Sequence, residues 1–200
     1  MVRDADGLPS YERYVAGLTG GLDAFPDAQA KGSLVRSVLE GQPPELLRTL
    51  PEPVRALALS SPVDSEWVPE THLAALVHAV SELRRFGEHE YCGWIRGCNR
   101  ALFARPLYRL LMAVASPEGL LRHAGKRWGN FHRGSGLDHD GVSDDGVRLT
   151  LTFPAGLFDE LLLRGYGESF AAALEASRAG DPLVEIEARG PGFACYRARW

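Results

Sequence analysis

One histidine and two cysteines lie close together in the middle of the chain, and residues of these types can ligate a metal. They are His89, Cys92 and Cys98. On a helix Cys92 and Cys98 would lie about 120° apart, with His89 about 60° beyond Cys92. That arrangement does not close a tetrahedral zinc site, and no second CxxC or HxxxH pair supplies the missing ligands. We therefore predict no metal site.

Motifs for other kinds of catalysis are equally scarce. The sequence has no Gly-x-Ser-x-Gly nucleophile elbow, no P-loop and no Gly-x-Gly-x-x-Gly fingerprint. The acids around residues 138–145 lack the closing glutamate of a calcium loop and suit a solvated hairpin turn. We predict no catalytic residues. An enzyme that uses Cys92 or Cys98 as its nucleophile, with a histidine brought near by the fold, stays open as an alternative.

Basic residues concentrate in one part of the chain. Residues 84–133 hold ten Lys and Arg against three acids, whereas the whole chain has a net charge of -4. Many of them lie four residues apart and so share helix faces. The predicted cationic surface consists of Arg96, Arg100, Arg105, Arg109, Arg122 and Lys126. Either these side chains pair with carboxylates from elsewhere in the fold, or they face an anionic partner.

Aromatic, cysteine and leucine residues recur at helical spacing in the same part of the chain. They either belong to a simple core or line an apolar pocket between helices and sheet. The pocket candidates are Tyr91, Trp94, Cys98, Leu102, Trp128 and Phe131. Gly93 and Gly97, four residues apart, leave a notch on the flank of their helix that permits close approach of another element. We expect a helix-packing or dimer contact at this notch.

Hydrophobic periodicity separates a helical part from a part with strands. Helices are predicted over 27–40, 70–86 and 88–104, from Pro106, and from 116 to about 128. On the 70–86 helix, His78 lies opposite the apolar stripe beside Glu82, which predicts an exposed pair. Alternation predicts a hairpin over 133–142 and 147–153, a helix from Pro154 to about 177, and a second hairpin over 183–189 and 193–200.

These elements predict an α+β fold. The helix-rich N-terminal two thirds would pack on a small antiparallel sheet of two hairpins, with the order β-β-α-β-β at the C-terminus. A length of 200 residues suits one domain, which we place at 27–200. Residues 1–26 form an N-terminal extension in which apolar spacing indicates a short helix. No apolar run approaches the roughly 18 residues that span a bilayer, so we expect no membrane span and a cytoplasmic protein.

Several segments in a fixed order carry a family resemblance. They are AKGSLVRSVLEG, Trp67-Val68-Pro69, Ser116-Pro117, Trp128, VRLTLTFP, LLLRGYGESFAAAL and the terminal FACYRARW. The chain resembles a myxobacterial paralogous family of proteins of about this length without an assigned function. It is distantly similar to the superfamily that holds the heme nitric-oxide-binding, 4-vinyl-reductase-like and TRAPP domains. The resemblance implies an interior pocket for a hydrophobic group, or pairing as dimers.

The resemblance also shows where this chain departs from the heme-binding branch. The Tyr-x-Ser-x-Arg motif that holds the heme propionates is missing, because Tyr11-Glu12-Arg13 and Tyr166-Gly167-Glu168 both fail it. The proximal histidine of that branch faces inward, whereas His78 is expected to face outward. We therefore predict no cofactor.

Taken together, these features favour a non-enzymatic regulatory or scaffold protein. It would form a homodimer and present the cationic surface to a protein partner. Nucleic acid is not the expected partner, because the chain is acidic overall and carries no recognised DNA- or RNA-binding motif. The first alternative is a sensor that binds a small hydrophobic ligand in the interior pocket, and the second is the thiol-dependent enzyme.

Overall fold

A computed structural model describes residues 7–106, 108–109, 116–143 and 146–200. Within these ranges lie nine α-helices and seven strands. The helices are α1 (Pro9–Gly17), α2 (Gly32–Leu39), α3 (Pro44–Thr49), α4 (Glu52–Ser60), α5 (Glu70–Leu83), α6 (Glu88–Ala104), α7 (Pro117–Arg122), α8 (Ala124–Trp128) and α9 (Glu160–Ala176). The strands are β1 (Gln29–Lys31), β2 (Trp67–Pro69), β3 (His132–Arg133), β4 (Gly136–Ser143), β5 (Gly146–Thr152), β6 (Leu183–Gly190) and β7 (Phe193–Arg199). The predicted helix that opens at Pro106 lies for the most part outside the described residues.

The C-terminal strands form a four-stranded antiparallel sheet in the order β4-β5-β7-β6. Its inner face is apolar, with Leu149, Leu151 and Tyr196 buried beneath α9. The Tyr196 hydroxyl donates to the Leu163 carbonyl at 2.9 Å, which fixes α9 against the sheet. The α+β class and the β-β-α-β-β order are therefore confirmed. Helix α9 begins at Glu160 rather than near Pro154, because the Asp159 carboxylate accepts the Leu162 N–H and so caps the helix there.

A second sheet, of three short strands in the order β2-β1-β3, escaped the sequence analysis. Its central residue Ala30 pairs with Val68 of β2 and with His132 of β3. Strands of two or three residues are too short to show alternation, so the predicted 27–40 helix gives way to β1 followed by α2. Because α5 follows directly after β2, this sheet brings His132 close to the first residue of α5.

The prediction for His78 is wrong. Its side chain is buried, because α1 packs on the face of α5 that the apolar pattern leaves open. The Tyr14 ring stacks on the His78 imidazole with 4.9 Å between centroids. Ser10 Oγ lies 2.8 Å from His78 Nδ1, and Asp159 Oδ2 lies 3.2 Å from Nε2. His78 thereby joins α1, α5 and the start of α9. The boundary we place at residue 26 stays a prediction.

Helices α6 and α9 pack closely, and glycine makes the close approach possible. A Cβ added at Gly165 of α9 would lie 2.5 Å from the Tyr91 hydroxyl of α6. On the other flank of α6, Gly93 and Gly97 are exposed, and a Cβ at either would meet nothing within 4 Å. The notch between them therefore receives no other element of the described chain. Among the described helices, none has the length and apolar character needed to cross a bilayer.

The two kinds of helical glycine make a matched stability test. Gly97→Ala should raise the free energy of unfolding by about 0.5–1 kcal/mol, since alanine is the better helix former and meets no obstacle. Gly165→Ala should lower it by about 1–3 kcal/mol, since the new methyl group would overlap the Tyr91 hydroxyl and force this buried side chain to shift. Urea denaturation of both variants measures the difference. A Gly165→Ala protein at least as stable as wild type would contradict the close approach of α6 and α9.

Candidate functional site

An interior cavity of about 220 Å³ lies between the helices and the inner face of the four-stranded sheet. Helices α2, α5, α6, α7, α8 and α9 all contribute side chains to its wall. Most of these are apolar, such as Leu73 from α5, Leu120 and Leu121 from α7, and Leu162 and Phe170 from α9. Cavities with apolar walls and a few fixed polar groups are typical of small-molecule sites.

Two buried polar side chains and one partly buried tyrosine form one polar part of this wall. Glu70 begins α5 and is 1% exposed. The Tyr166 hydroxyl of α9 donates to Glu70 Oε1 at 3.0 Å, and His132 Nδ1 of β3 lies 2.9 Å from Oε2. Burial and the neighbouring Glu70 carboxylate raise the pKa of Tyr166 well above its ordinary value, so its hydroxyl keeps its proton and stays a donor. We call Glu70, His132 and Tyr166 the polar triad.

Aromatic rings hold the triad in place. The Trp128 indole stacks on the His132 imidazole, with 3.9 Å between centroids and 14° between planes. Its Nε1–H donates to Ser135 Oγ at 3.0 Å. The Tyr166 ring meets both Trp128 and His132 edge to face. These contacts leave the triad few alternative rotamers, and therefore give the cavity a defined shape.

Five of the six pocket residues expected from the sequence line this cavity. They are Tyr91, Cys98, Leu102, Trp128 and Phe131. Trp94 does not line it and packs instead on Phe86 and Tyr91. Sequence reasoning missed the whole polar triad. Its members lie far apart in the chain, and nothing around Glu70 distinguishes it from an exposed acid in the first turn of a helix.

The predicted cationic surface is partly neutralised within the chain. Arg96 bonds Glu168 at 2.6 Å, and Arg100 bonds both oxygens of Glu175 at 2.6 and 2.7 Å. Arg105 reaches Glu40 at 3.1 Å and Asp64 at 3.4 Å. The remaining members form no salt bridge within the described residues and are exposed: Arg109, Arg122 and Lys126.

Arg127 of α8, which the sequence analysis did not single out, lines the cavity. Its Nε is buried and has no hydrogen-bond partner. No salt bridge joins its guanidinium to an acid of the described chain. A buried donor without an acceptor is costly, so this side chain stands out among the arginines of the described ranges.

The cysteines lie in surroundings that suppress reactivity. Burial raises the pKa of Cys98 to about 12, with the Glu40 charge adding to the effect. Burial and Glu168 also raise the pKa of Cys92. Since the thiolate is the nucleophile, both groups are poorly placed for thiol catalysis at neutral pH. Within the described ranges, no group of three His, Cys, Asp or Glu side chains is arranged to hold a metal ion.

Comparison with known proteins identifies the fold. No protein-family model and no curated protein matches this chain. Solved H-NOX structures do match. One, solved to probe heme distortion in the H-NOX family, has a TM-score of 0.60 and 11% identity over 85% of this chain and 94% of that chain. An oxygen-binding H-NOX domain related to soluble guanylate cyclases has a TM-score of 0.57 and 11% identity, over 84% and 91% of the two chains. The fold is therefore H-NOX-like, consistent with the distant similarity inferred from the sequence.

The polar triad generates a stability prediction. Glu70→Ala should lower the free energy of unfolding by about 1–3 kcal/mol, because it leaves the Tyr166 hydroxyl and the His132 ring nitrogen without a buried partner. Tyr166→Phe should cost about 1–3 kcal/mol, because it leaves the buried Glu70 Oε1 without this donor. Urea denaturation of both variants and of the double variant gives their coupling. Simple additivity of the two losses would show that the pair does not interact.

The thiol pKa shifts predict slow and pH-dependent labelling. At pH 7 the native protein should react with a disulfide reagent at Cys92 and Cys98 far more slowly than the urea-unfolded protein does. The native rate should rise with pH throughout the range 7–9, because the raised pKa of Cys98 keeps its thiolate fraction small there. Cys98→Ser and Cys92→Ser variants assign the signals. Rapid native labelling at pH 7 would restore the thiol-enzyme alternative.

Proposed function

We propose that this chain is a small-molecule sensor domain whose cavity binds a compact apolar ligand directly, without heme. The cavity itself carries the proposal, because it is enclosed mostly by apolar and aromatic side chains and has one ordered polar triad. Such a surface suits a ligand with an apolar body and few polar atoms. The H-NOX-like fold also supports a domain that binds a small ligand, since some of the matched structures are described in terms of heme or of oxygen binding.

The cavity volume limits the size of the ligand. An engineered apolar cavity of about 150 Å³ binds benzene, and this cavity measures about 220 Å³. By simple proportion it accommodates a molecule of about nine non-hydrogen atoms. A substituted benzene or a branched aliphatic chain has this size.

Heme does not fit the residues present. The cavity is smaller than the roughly 300–1,000 Å³ of sites that enclose drug-sized ligands, and a porphyrin needs at least that space. His132 is the one histidine of the described chain that lines the cavity. The space beside its ring is already filled by Trp128 and Tyr166, which a porphyrin would have to displace. The missing Tyr-x-Ser-x-Arg motif leaves the propionates without the partners that the heme-binding branch supplies.

The polar triad also suggests how occupancy is communicated. Glu70 starts α5, His132 belongs to the small sheet and Tyr166 lies on α9. A ligand that contacts Trp128 or Tyr166 therefore bears on three elements that one carboxylate holds together. Moving any of the three costs a buried hydrogen bond, so ligand binding and the relative positions of these elements are energetically coupled.

The scaffold and homodimer hypotheses have less support than the sensor function. Three of the six arginine and lysine residues proposed for the partner surface already pair with acids of this chain. Arg109, Arg122 and Lys126 are the ones that remain for a protein partner. Native mass spectrometry measures the oligomeric state directly, and a dimer would be compatible with the sensor function.

A cavity-filling variant tests the proposed function. Ala74 of α5 is buried and lines the cavity, so Ala74→Leu should occupy much of the empty space. We expect toluene and benzyl alcohol to bind the wild-type protein, quench Trp128 fluorescence and raise its melting temperature. Ala74→Leu should lose both effects. Ala101→Leu, at an exposed position on α6, should keep them.

Two further measurements complete this test. Trp128→Phe assigns the fluorescence signal, and nuclear magnetic resonance shift perturbation around Phe170 and Leu121 reports binding independently. No binding of any compact apolar probe by the wild-type protein would overturn the proposal. A stoichiometric Soret band after addition of hemin, lost in His132→Ala, would overturn the heme-free part of it.

A further inference from the structure

We infer that the ligand of this cavity carries an anionic group, with a carboxylate as the best match, and that Arg127 binds that group. The inference rests on the proposed function, because it names the chemical class of ligand for the same cavity. It concerns a residue to which neither the polar triad nor the fold comparison assigns a role.

Arg127 has no charged partner within the described chain. Its side chain is only partly exposed, lines the cavity and has a buried Nε without an acceptor. Arg96 and Arg105, which are partly exposed as Arg127 is, both pair with carboxylates, and so does the exposed Arg100. Arg127 forms no salt bridge with the described chain. Residues 107–115, which join α6 to α7 in sequence, contain no acidic side chain.

Glu70, the one carboxylate among the described residues of the cavity wall, already has partners. Glu70 accepts from the Tyr166 hydroxyl and contacts His132. It forms no salt bridge with Arg127. Arg127 is therefore a half-buried cation in a mostly apolar wall, and its buried Nε–H has no acceptor within the described chain. A ligand can supply that acceptor.

The shape of the Arg127 guanidinium suits a carboxylate. Its planar fork of N–H donors matches the two oxygens of a carboxylate and can bind both at once. Asn130 and Tyr108 also line the cavity and are partly or fully exposed, so this part of the wall adjoins the surface. A ligand can thus place its charged end at Arg127 and its apolar body against Leu120, Leu121 and Phe170. An arylacetate or a short branched fatty acid has this form and the size that the cavity permits.

A matched pair of probes tests the inference. Phenylacetate and 2-phenylethanol have the same apolar body, and only the first is anionic at pH 7. Isothermal titration calorimetry should give a lower dissociation constant for phenylacetate with the wild-type protein. In Arg127→Gln that preference should fall by about 10- to 100-fold, as expected for the loss of a hydrogen bond to a charged group. Binding of 2-phenylethanol should be unchanged, which also shows that the variant folds.

Two variants serve as controls. Arg127→Lys keeps the positive charge but not the planar fork, so it should retain part of the preference. Arg122→Gln removes an exposed arginine at the end of α7 and should change nothing. Lowering the pH below the pKa of phenylacetate should abolish the preference in the wild-type protein and have no such effect in Arg127→Gln.

The other outcomes would contradict either the anionic ligand alone or the cavity as a binding site. If 2-phenylethanol binds and phenylacetate has no advantage, or if Arg127→Gln keeps the wild-type preference, the anionic ligand is wrong and the apolar cavity site stands. If neither probe binds the wild-type protein and toluene also fails, the cavity is not a binding site, and both the inference and the proposed function fall.

Discussion

The buried Glu70 carboxylate is the constraint on which the rest of the cavity depends. A carboxylate taken out of water is costly unless hydrogen bonds replace the water it loses. Here Tyr166 and His132 supply them, from α9 and from the small sheet. Each partner is therefore tied to the first residue of α5, and Trp128 is tied in turn by stacking on His132. The positions of these cavity residues therefore depend on the hydrogen bonds of one buried carboxylate.

A second buried group performs a related task about two turns further along α5. His78 lies between the Tyr14 ring and Asp159. Burial raises the pKa of the Asp159 carboxyl, but contact with His78 and with the backbone N–H groups of Leu161 and Leu162 outweighs it, so the pKa lies below its ordinary value. The group is thus more stable when ionised in the folded protein. Its contribution is full above the ordinary aspartate pKa and is lost as the pH falls through the lowered value.

The similarity to H-NOX structures is a similarity of fold. At 10–14% identity, the layered arrangement of helices and a four-stranded sheet is shared over most of both chains. In this chain leucines and aromatic rings occupy much of the interior, and the remaining space is about 220 Å³. Shape and function are separable, because the core tolerates substitution where volume is conserved, whereas a ligand depends on particular side chains.

The amino-acid sequence alone predicts the α+β class, the two C-terminal hairpins and most of the longer helices. These features follow from hydrophobic periodicity, a local property that a single chain displays. It also indicated five of the cavity residues, because Tyr91, Cys98 and Leu102 recur along one helix face. The other features of the site depend on contacts between residues that lie far apart in the chain. Glu70, His132 and Tyr166 meet through contacts 62 to 96 residues apart, and His78 is buried because α1 covers it. Arg127 differs from its paired neighbours only in which acids the fold brings within reach, and no local pattern records that distance.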